Sequence, residues 1–170
     1  GLRVPGSWDP FEVLVRAIVG QQVSVKGATT VMGKIAHEFG EISDGQLMFP
    51  TAESLMTLNP ERLPMPRARA KTVAAAATAV KRGDIDLSEQ DSEALMTQLR
   101  HVKGIGPWTA QYVAMRAIND PDQFLEGDLV LKKVAARELS LDNDQALMNR
   151  AEAWRPWRAY AAMYLWSLAS

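Results

Sequence analysis

The segment Leu99-Arg-His-Val-Lys-Gly-Ile-Gly-Pro-Trp-Thr-Ala-Gln-Tyr112 constrains the fold more than any other part of the chain. Apolar-periodic residues on both sides read as helices, and between them lies a turn too short to be anything but tight. Gly104 and Gly106 lack a Cβ, so the backbone there can take positive φ and lie close to a ligand. Pro107 suits the first position of the following helix, where a missing N–H costs nothing. The free amides of that helix start then face outward as an anion site. A chain that must present such a turn needs rigid helices to hold it.

The remaining sequence supplies them. Asp9 and Pro10 cap a helix through Val19, and Gly20-Gln-Gln22 interrupts the pattern. Ser24 caps a second helix through Phe39, closed by Gly40. Gly45 to Pro50 reads as loop. Thr51 opens a short helix ending near Asn59-Pro60. The Ala-rich stretch Pro66–Arg82 favours helix and stops at Gly83. Asp91 or Ser92 starts the helix before the turn, and Pro107–Ile118 forms the one after it. Asn119–Gly127 reads as loop. Helices follow from Asp128 towards Leu139, from about Asp144 to Trp154, and from Pro156 to the C-terminus. No strand alternation, repeat or linker stands out. The expected fold is all-α: a two-lobed helical bundle over residues 1–170.

Composition narrows the chemistry. There is no Cys, which excludes disulfides, thiolate nucleophiles, zinc–thiolate sites and iron–sulfur clusters. No apolar run approaches membrane-spanning length. The net charge of −1 is no help to a nucleic-acid binder, so distribution matters more than the sum. Arg62, Arg67, Arg69, Lys71, Lys81 and Arg82 gather in one segment, and Lys132, Lys133 and Arg137 in another. Asp84, Asp86, Glu89, Asp91 and Glu93 lie between them. Taken alone, these charges read as solvated helix faces and an acidic linker.

A hairpin of the Lys103–Gly106 kind grips a DNA phosphate without reading a base. Beyond it, after a Gly/Pro-rich loop, stands Asp128. By itself an Asp at a helix start is an N-cap, but the hairpin upstream favours a chemical role, and the two are compatible. Breaking an N-glycosidic bond builds positive charge on the sugar, as in glycoside hydrolysis. A single carboxylate beside C1′ stabilises that charge and orients a water. Glu126 is a weaker candidate and reads as solvated loop. An extruded base needs stacking surfaces. Trp108 and Tyr112, four apart, share a helix face, and with Trp166 they can wall a pocket, although aromatics at helical spacing are usually core. Trp154 and Trp157 read as core or scaffold. Electron-rich indoles suit a cationic base such as 3-methyladenine or 7-methylguanine.

The hairpin resembles the helix-hairpin-helix of DNA-binding proteins, and with Asp128 it has the signature order of the helix-hairpin-helix DNA glycosylases. Over nearly its whole length the chain resembles the catalytic helical part of the bacterial 3-methyladenine DNA glycosylase II (AlkA-type) family. The patches that carry this are Arg16-Ala-Ile-Val-Gly-Gln-Gln-Val-Ser-Val25, Lys103-Gly-Ile-Gly-Pro-Trp-Thr-Ala110, Phe124-Leu-Glu-Gly-Asp128 and Trp154-Arg-Pro-Trp-Arg-Ala-Tyr-Ala161. The resemblance implies that Asp128 is the catalytic aspartate and that Trp108, Tyr112 and Trp166 line the base pocket. It implies that Lys103, Gly104, Ile105 and Gly106 grip the DNA backbone and that Gln22 is the wedge. It further implies that carbonyls around Arg100, Val102 and Gly104 hold a sodium or potassium ion bridging to phosphate, with no cofactor required for the chemistry.

Relatives that also cut the strand carry a Lys where this chain has Trp108, so no Schiff base is expected and the product is an abasic site. The wedge departs from the family's apolar residue, since Gln22 intercalates less readily than leucine. The family's β-rich N-terminal subdomain is not in this sequence, which reads either as a cut-down enzyme or as a trimmed one. The expected partner is double-stranded DNA with damaged bases, in the cytoplasm of a bacterium at the nucleoid, bound by a monomer. A glycosylase for another damaged base, a non-catalytic helix-hairpin-helix docking module and a helical protein-binding module remain the alternatives.

Overall fold

In the computed structural model, which describes residues 1–57 and 59–169, the local signals act as expected. Asp9 accepts the Phe11 N–H at 2.8 Å and starts α1 (Pro10–Val19). This helix buries residues on nearly every side, the mark of a helix enclosed by others. Ser24 caps α2 (Val25–Phe39) and Thr51 caps α3 (Ala52–Met56). The helix expected to run on towards Asn59 stops earlier; Leu58 lies outside the described residues, and Pro60–Arg62 forms a 3-10 turn capped by Asn59. The Ala-rich segment is α4 (Arg67–Arg82), closed by Gly83 at φ +80°. Then come α5 (Ser92–Arg100), α6 (Pro107–Ala117), α7 (Leu129–Leu139), α8 (Asp144–Glu152) and α9 (Arg158–Ser167).

Two expectations are corrected. The Gly45–Pro50 stretch is not all loop, and strands are present: β1 (Ile42–Ser43) and β2 (Gln46–Leu47) pair antiparallel, Ile42 opposite Leu47 and Ser43 opposite Gln46. Asp44 and Gly45, at φ +50° and +77°, supply the tight turn between them. The last two helices are also shorter than expected, because the Ala153–Trp157 connection forms turns.

The core is double. The first cluster joins α1, α2, α3, α4 and α5 with Val102, Ile105, Ala110 and Val113. The second joins α7, α8 and α9 with Met115, Phe124 and Leu125. Each fully buried aliphatic chain in them contributes roughly 1.5–3 kcal/mol by leaving water. Both clusters include residues of α6, and Tyr112 packs against both. The hairpin and the start of α7 thus lie where the lobes meet. The exposed basic residues behave as solvated faces: Arg62 pairs with Glu38, Arg67 with Glu61 and Lys81 with Glu53, while the half-buried Lys132 pairs with Asp144.

Candidate active site

Asp128 is the N-cap of α7 and is only 8% exposed. Its Oδ1 accepts the N–H groups of Val130 at 2.9 Å and Leu131 at 2.8 Å. Two indoles complete the shell. Trp108 donates from Nε1 to Oδ2 at 2.9 Å, and Trp166 donates from Nε1 to Oδ1 at 3.3 Å. A buried carboxylate with four donors is satisfied as an anion and fixed in orientation. One lone pair of Oδ2 remains uncommitted by these bonds.

The structure therefore brings together four residues from three helices: Trp108 and Tyr112 of α6, Asp128 at α7 and Trp166 of α9. The Trp108 and Tyr112 rings stack with centroids 5.3 Å apart and planes 17° apart. The Arg116 guanidinium lies over Tyr112 at 5.7 Å. Trp108 and Arg116 sit four residues either side of Tyr112, so they flank its ring along the helix. Trp108 in addition lines a cavity together with Pro107, Phe124, Lys132 and Met148. Trp154 packs on Phe124, as scaffold. Of the core or scaffold place expected for Trp157, core is excluded: it is 58% exposed and packs edge-on against Tyr160 with ring centroids 5.6 Å apart. Glu126 is exposed in the loop, its N–H bonded to Gln111 Oε1 at 3.1 Å.

The hairpin joins α5 to α6. Gly104 has φ +99°, and a Cβ there would meet Thr72 Oγ1 at 2.2 Å, so both backbone conformation and space require glycine. Gly106 is different: its φ is −94° and its Cβ position is open. Positive φ is thus confined to one of the two expected positions. Lys103 is exposed, whereas the Ile105 side chain is 6% exposed and packs in the first core. The Ile105 N–H bonds the Val102 carbonyl at 3.0 Å. Ile105 therefore anchors the turn and does not face outward. Of the carbonyls expected at a cation, that of Gly104 accepts the Gln21 amide at 3.0 Å. The Val102 carbonyl likewise accepts the Ile105 N–H at 3.0 Å, and each of these two oxygens keeps a second lone pair.

Gln22 is exposed and takes φ +57°, at the mouth of the interruption between α1 and α2. Sequence reasoning passed over three residues around it. Gln21 donates from Nε2 to Gly104 O and to Thr109 Oγ1, each at 3.0 Å. Arg69 donates from Nη2 to the Gln21 carbonyl at 2.5 Å. The Thr72 Oγ1 hydroxyl is shared between the Ala68 carbonyl of its own helix and the Lys103 carbonyl, each at 3.2 Å. The one available signal was a polar pair, Arg69 and Thr72, at helical spacing inside an Ala-rich helix.

Residues 15–159 match the profile of the family described as HhH-GPD superfamily base excision DNA repair protein. The chain is 38% identical to the probable bifunctional transcriptional activator/DNA repair enzyme AlkA of Mycobacterium tuberculosis, over 98% of this chain and 35% of that protein. It is 37% identical to DNA-3-methyladenine glycosylase 2 of Escherichia coli, over 98% of this chain and 60% of that protein. The chain thus spans between about a third and three-fifths of the length of these relatives. The structure of the Schizosaccharomyces pombe 3-methyladenine DNA glycosylase in complex with abasic DNA superposes with a TM-score of 0.83 at 25% identity, over 98% of this chain and 83% of that one. A Clostridium acetobutylicum 8-oxoguanine glycosylase/lyase shares the fold, with a TM-score of 0.80 at 19% identity, over 95% of this chain and 59% of that one. With two helical lobes meeting at a hairpin and a capped aspartate, and with this match over most of its length, the chain belongs to the HhH-GPD superfamily of base excision DNA repair proteins.

Proposed function

We propose that this chain is a monofunctional DNA glycosylase that hydrolyses the N-glycosidic bond of alkylated purines and leaves an abasic site. The observation that carries the reading is the Asp128 carboxylate, buried and held by the indole N–H groups of two aromatic residues beside the hairpin.

The steps follow from these groups. Lys103, Gly104 and Gly106 hold a backbone phosphate, with Ile105 bracing the turn from the core side. Gln22 enters the stack as the base leaves it. The extruded base lies against Trp108, where a cationic purine gains most from the π-face. A 3-methyladenine or 7-methylguanine departs with the bonding electron pair and leaves neutral, so it needs no proton from the protein. Positive charge grows on the sugar, and Asp128 stabilises it through the uncommitted side of Oδ2. Water adds its oxygen to C1′ and releases its proton to solvent. Trp108 offers no amine, so no covalent imine forms and the strand stays intact.

No cofactor enters the chemistry. A sodium or potassium ion at the Arg100, Val102 and Gly104 carbonyls would add charge against the gripped phosphate. The partner in this reading is damaged duplex DNA, met by a monomer at the bacterial nucleoid, and the described fold is one catalytic unit of two lobes.

Base release from methylated duplex DNA tests the proposal. Wild type should free 3-methyladenine or 7-methylguanine. Asp128→Asn should lose at least about a hundredfold in rate with little change in affinity for duplex. An equally active Asp128→Asn would remove the catalytic assignment, and binding without release by wild type would favour the docking module.

A further inference from the structure

Gln22 stands in the left-handed region, which non-glycine residues occupy only when their surroundings impose it. What imposes it here is a three-way tie. Arg69 of α4 holds the Gln21 carbonyl at 2.5 Å, next to the bond that sets the Gln22 backbone. One turn along the same helix, Thr72 fills the space beneath Gly104 and shares its hydroxyl between the Lys103 carbonyl and the Ala68 carbonyl, each at 3.2 Å. Gln21 closes the triangle by donating to Gly104 O and Thr109 Oγ1 at 3.0 Å. Helix α4 thus grips two loops that are remote in sequence, and the loops grip each other. Arg69 is half-buried with a donor committed inside the protein. It differs in this from its neighbour Arg67, which is 70% exposed and paired with Glu61.

We infer that Arg69 is a positioning residue for base extrusion: it fixes the Gln22 wedge at a set offset from the phosphate-gripping hairpin. The inference rests on the glycosylase reading. A phosphate grip sets where the protein sits on the duplex. A wedge acts only if it then meets the stack at the right step, and a loose loop loses that advantage to conformational entropy. Arg69 touches neither base nor sugar; its effect passes through the Gln21–Gln22 backbone.

Arg69→Met keeps most of the side-chain volume and removes the donors. Three readouts separate the possibilities: affinity for undamaged duplex, fluorescence of 2-aminopurine placed beside a lesion, and single-turnover base release. The expected variant binds undamaged duplex within about twofold of wild type, because the hairpin is intact. Its 2-aminopurine signal and release rate fall by at least about tenfold, the scale of one charge-assisted hydrogen bond. Arg69→Lys, which keeps a charged donor, recovers part of the loss. Wild-type extrusion in Arg69→Met overturns the inference. So does a loss that falls equally on undamaged duplex with a shallower salt dependence, which would make Arg69 a phosphate contact. Should Arg69→Met fail to fold, Gln21→Met cuts the tie from the hairpin side and carries the same expectation. Amide exchange at Gly20–Val23 in the free protein decides the brace without any activity: it accelerates in Arg69→Met if the tie holds the loop. A wild type that releases no base sinks the glycosylase reading and leaves the exchange result to judge the brace.

Discussion

At the scale of single residues, Trp108 has two separable properties. Its ring offers a π-face, and its Nε1–H orients Asp128 at 2.9 Å. Trp108→Phe keeps a ring and removes the donor. It should slow release of cationic and neutral bases alike by roughly tenfold, the order expected for one hydrogen bond to a charged group. Trp108→Ala removes the ring as well and should penalise 7-methylguanine more than hypoxanthine; single-turnover assays on both substrates compare the two. Asp122 gives a pH prediction. Burial opposes its charge, but the Arg158 and Arg155 guanidiniums outweigh burial and hold its carboxyl below the ordinary range. A depressed carboxyl adds stability above its unfolded pKa and loses it as pH falls through the folded value. Asp122→Asn should therefore be less stable than wild type by about 1–2 kcal/mol at neutral pH. Below about pH 4 the gap should close, as thermal melts across pH would show. Asp128 and Trp108 were legible in the sequence as a position after a hairpin and an aromatic on a helix. Their hydrogen bond was not, because spacing along the chain says nothing about which atoms of two remote residues meet. Gln21, Arg69 and Thr72 were illegible for a related reason: a polar residue on a helix or in a loop reads as solvated until its partner is located.

At the scale of elements, caps and stops were read well because they are local. Asp9, Ser24, Thr51, Asp91 and Asp128 all accept backbone N–H groups at helix starts. The β1–β2 hairpin shows the limit. Its Asp44-Gly45 turn was present in the sequence, but two-residue strands carry no alternation to detect. The helix-hairpin-helix itself yields a sharper prediction. Gly104→Val places a Cβ against Thr72 and forces a branched residue to φ +99°. It should destabilise the protein by about 2–4 kcal/mol and weaken binding to every duplex sequence alike, since the contact proposed there is to phosphate. Competition binding with unrelated sequences checks this, and a loss confined to one sequence would contradict it. Gly106→Ala, at an ordinary φ and with open space, should leave stability within about 0.5 kcal/mol of wild type.

At the scale of the whole molecule, two cores share one helix. Ala110 and Val113 of α6 belong to the first and Met115 to the second, while Tyr112 packs on both. Tyr112→Ala should cost about 2–4 kcal/mol and broaden urea unfolding followed by tryptophan fluorescence, as the lobes begin to melt separately; a single sharp transition at the wild-type midpoint would argue that the seam carries no weight. The all-helical plan was legible from caps and periodicity, and the two lobes from the family resemblance, but the division of α6 between the cores was not, because both of its faces are apolar. That division has a mechanical consequence. Helix α6 begins at the hairpin, carries Trp108 in its first turn and places Tyr112 at its middle, against both cores. In the glycosylase reading it is a lever with its load arm at the phosphate-gripping hairpin and its fulcrum at Tyr112. Torque from a bent duplex, applied at Gly104–Gly106, would turn the base-stacking ring and the lobe boundary together, so that holding DNA and closing on a base become a single motion.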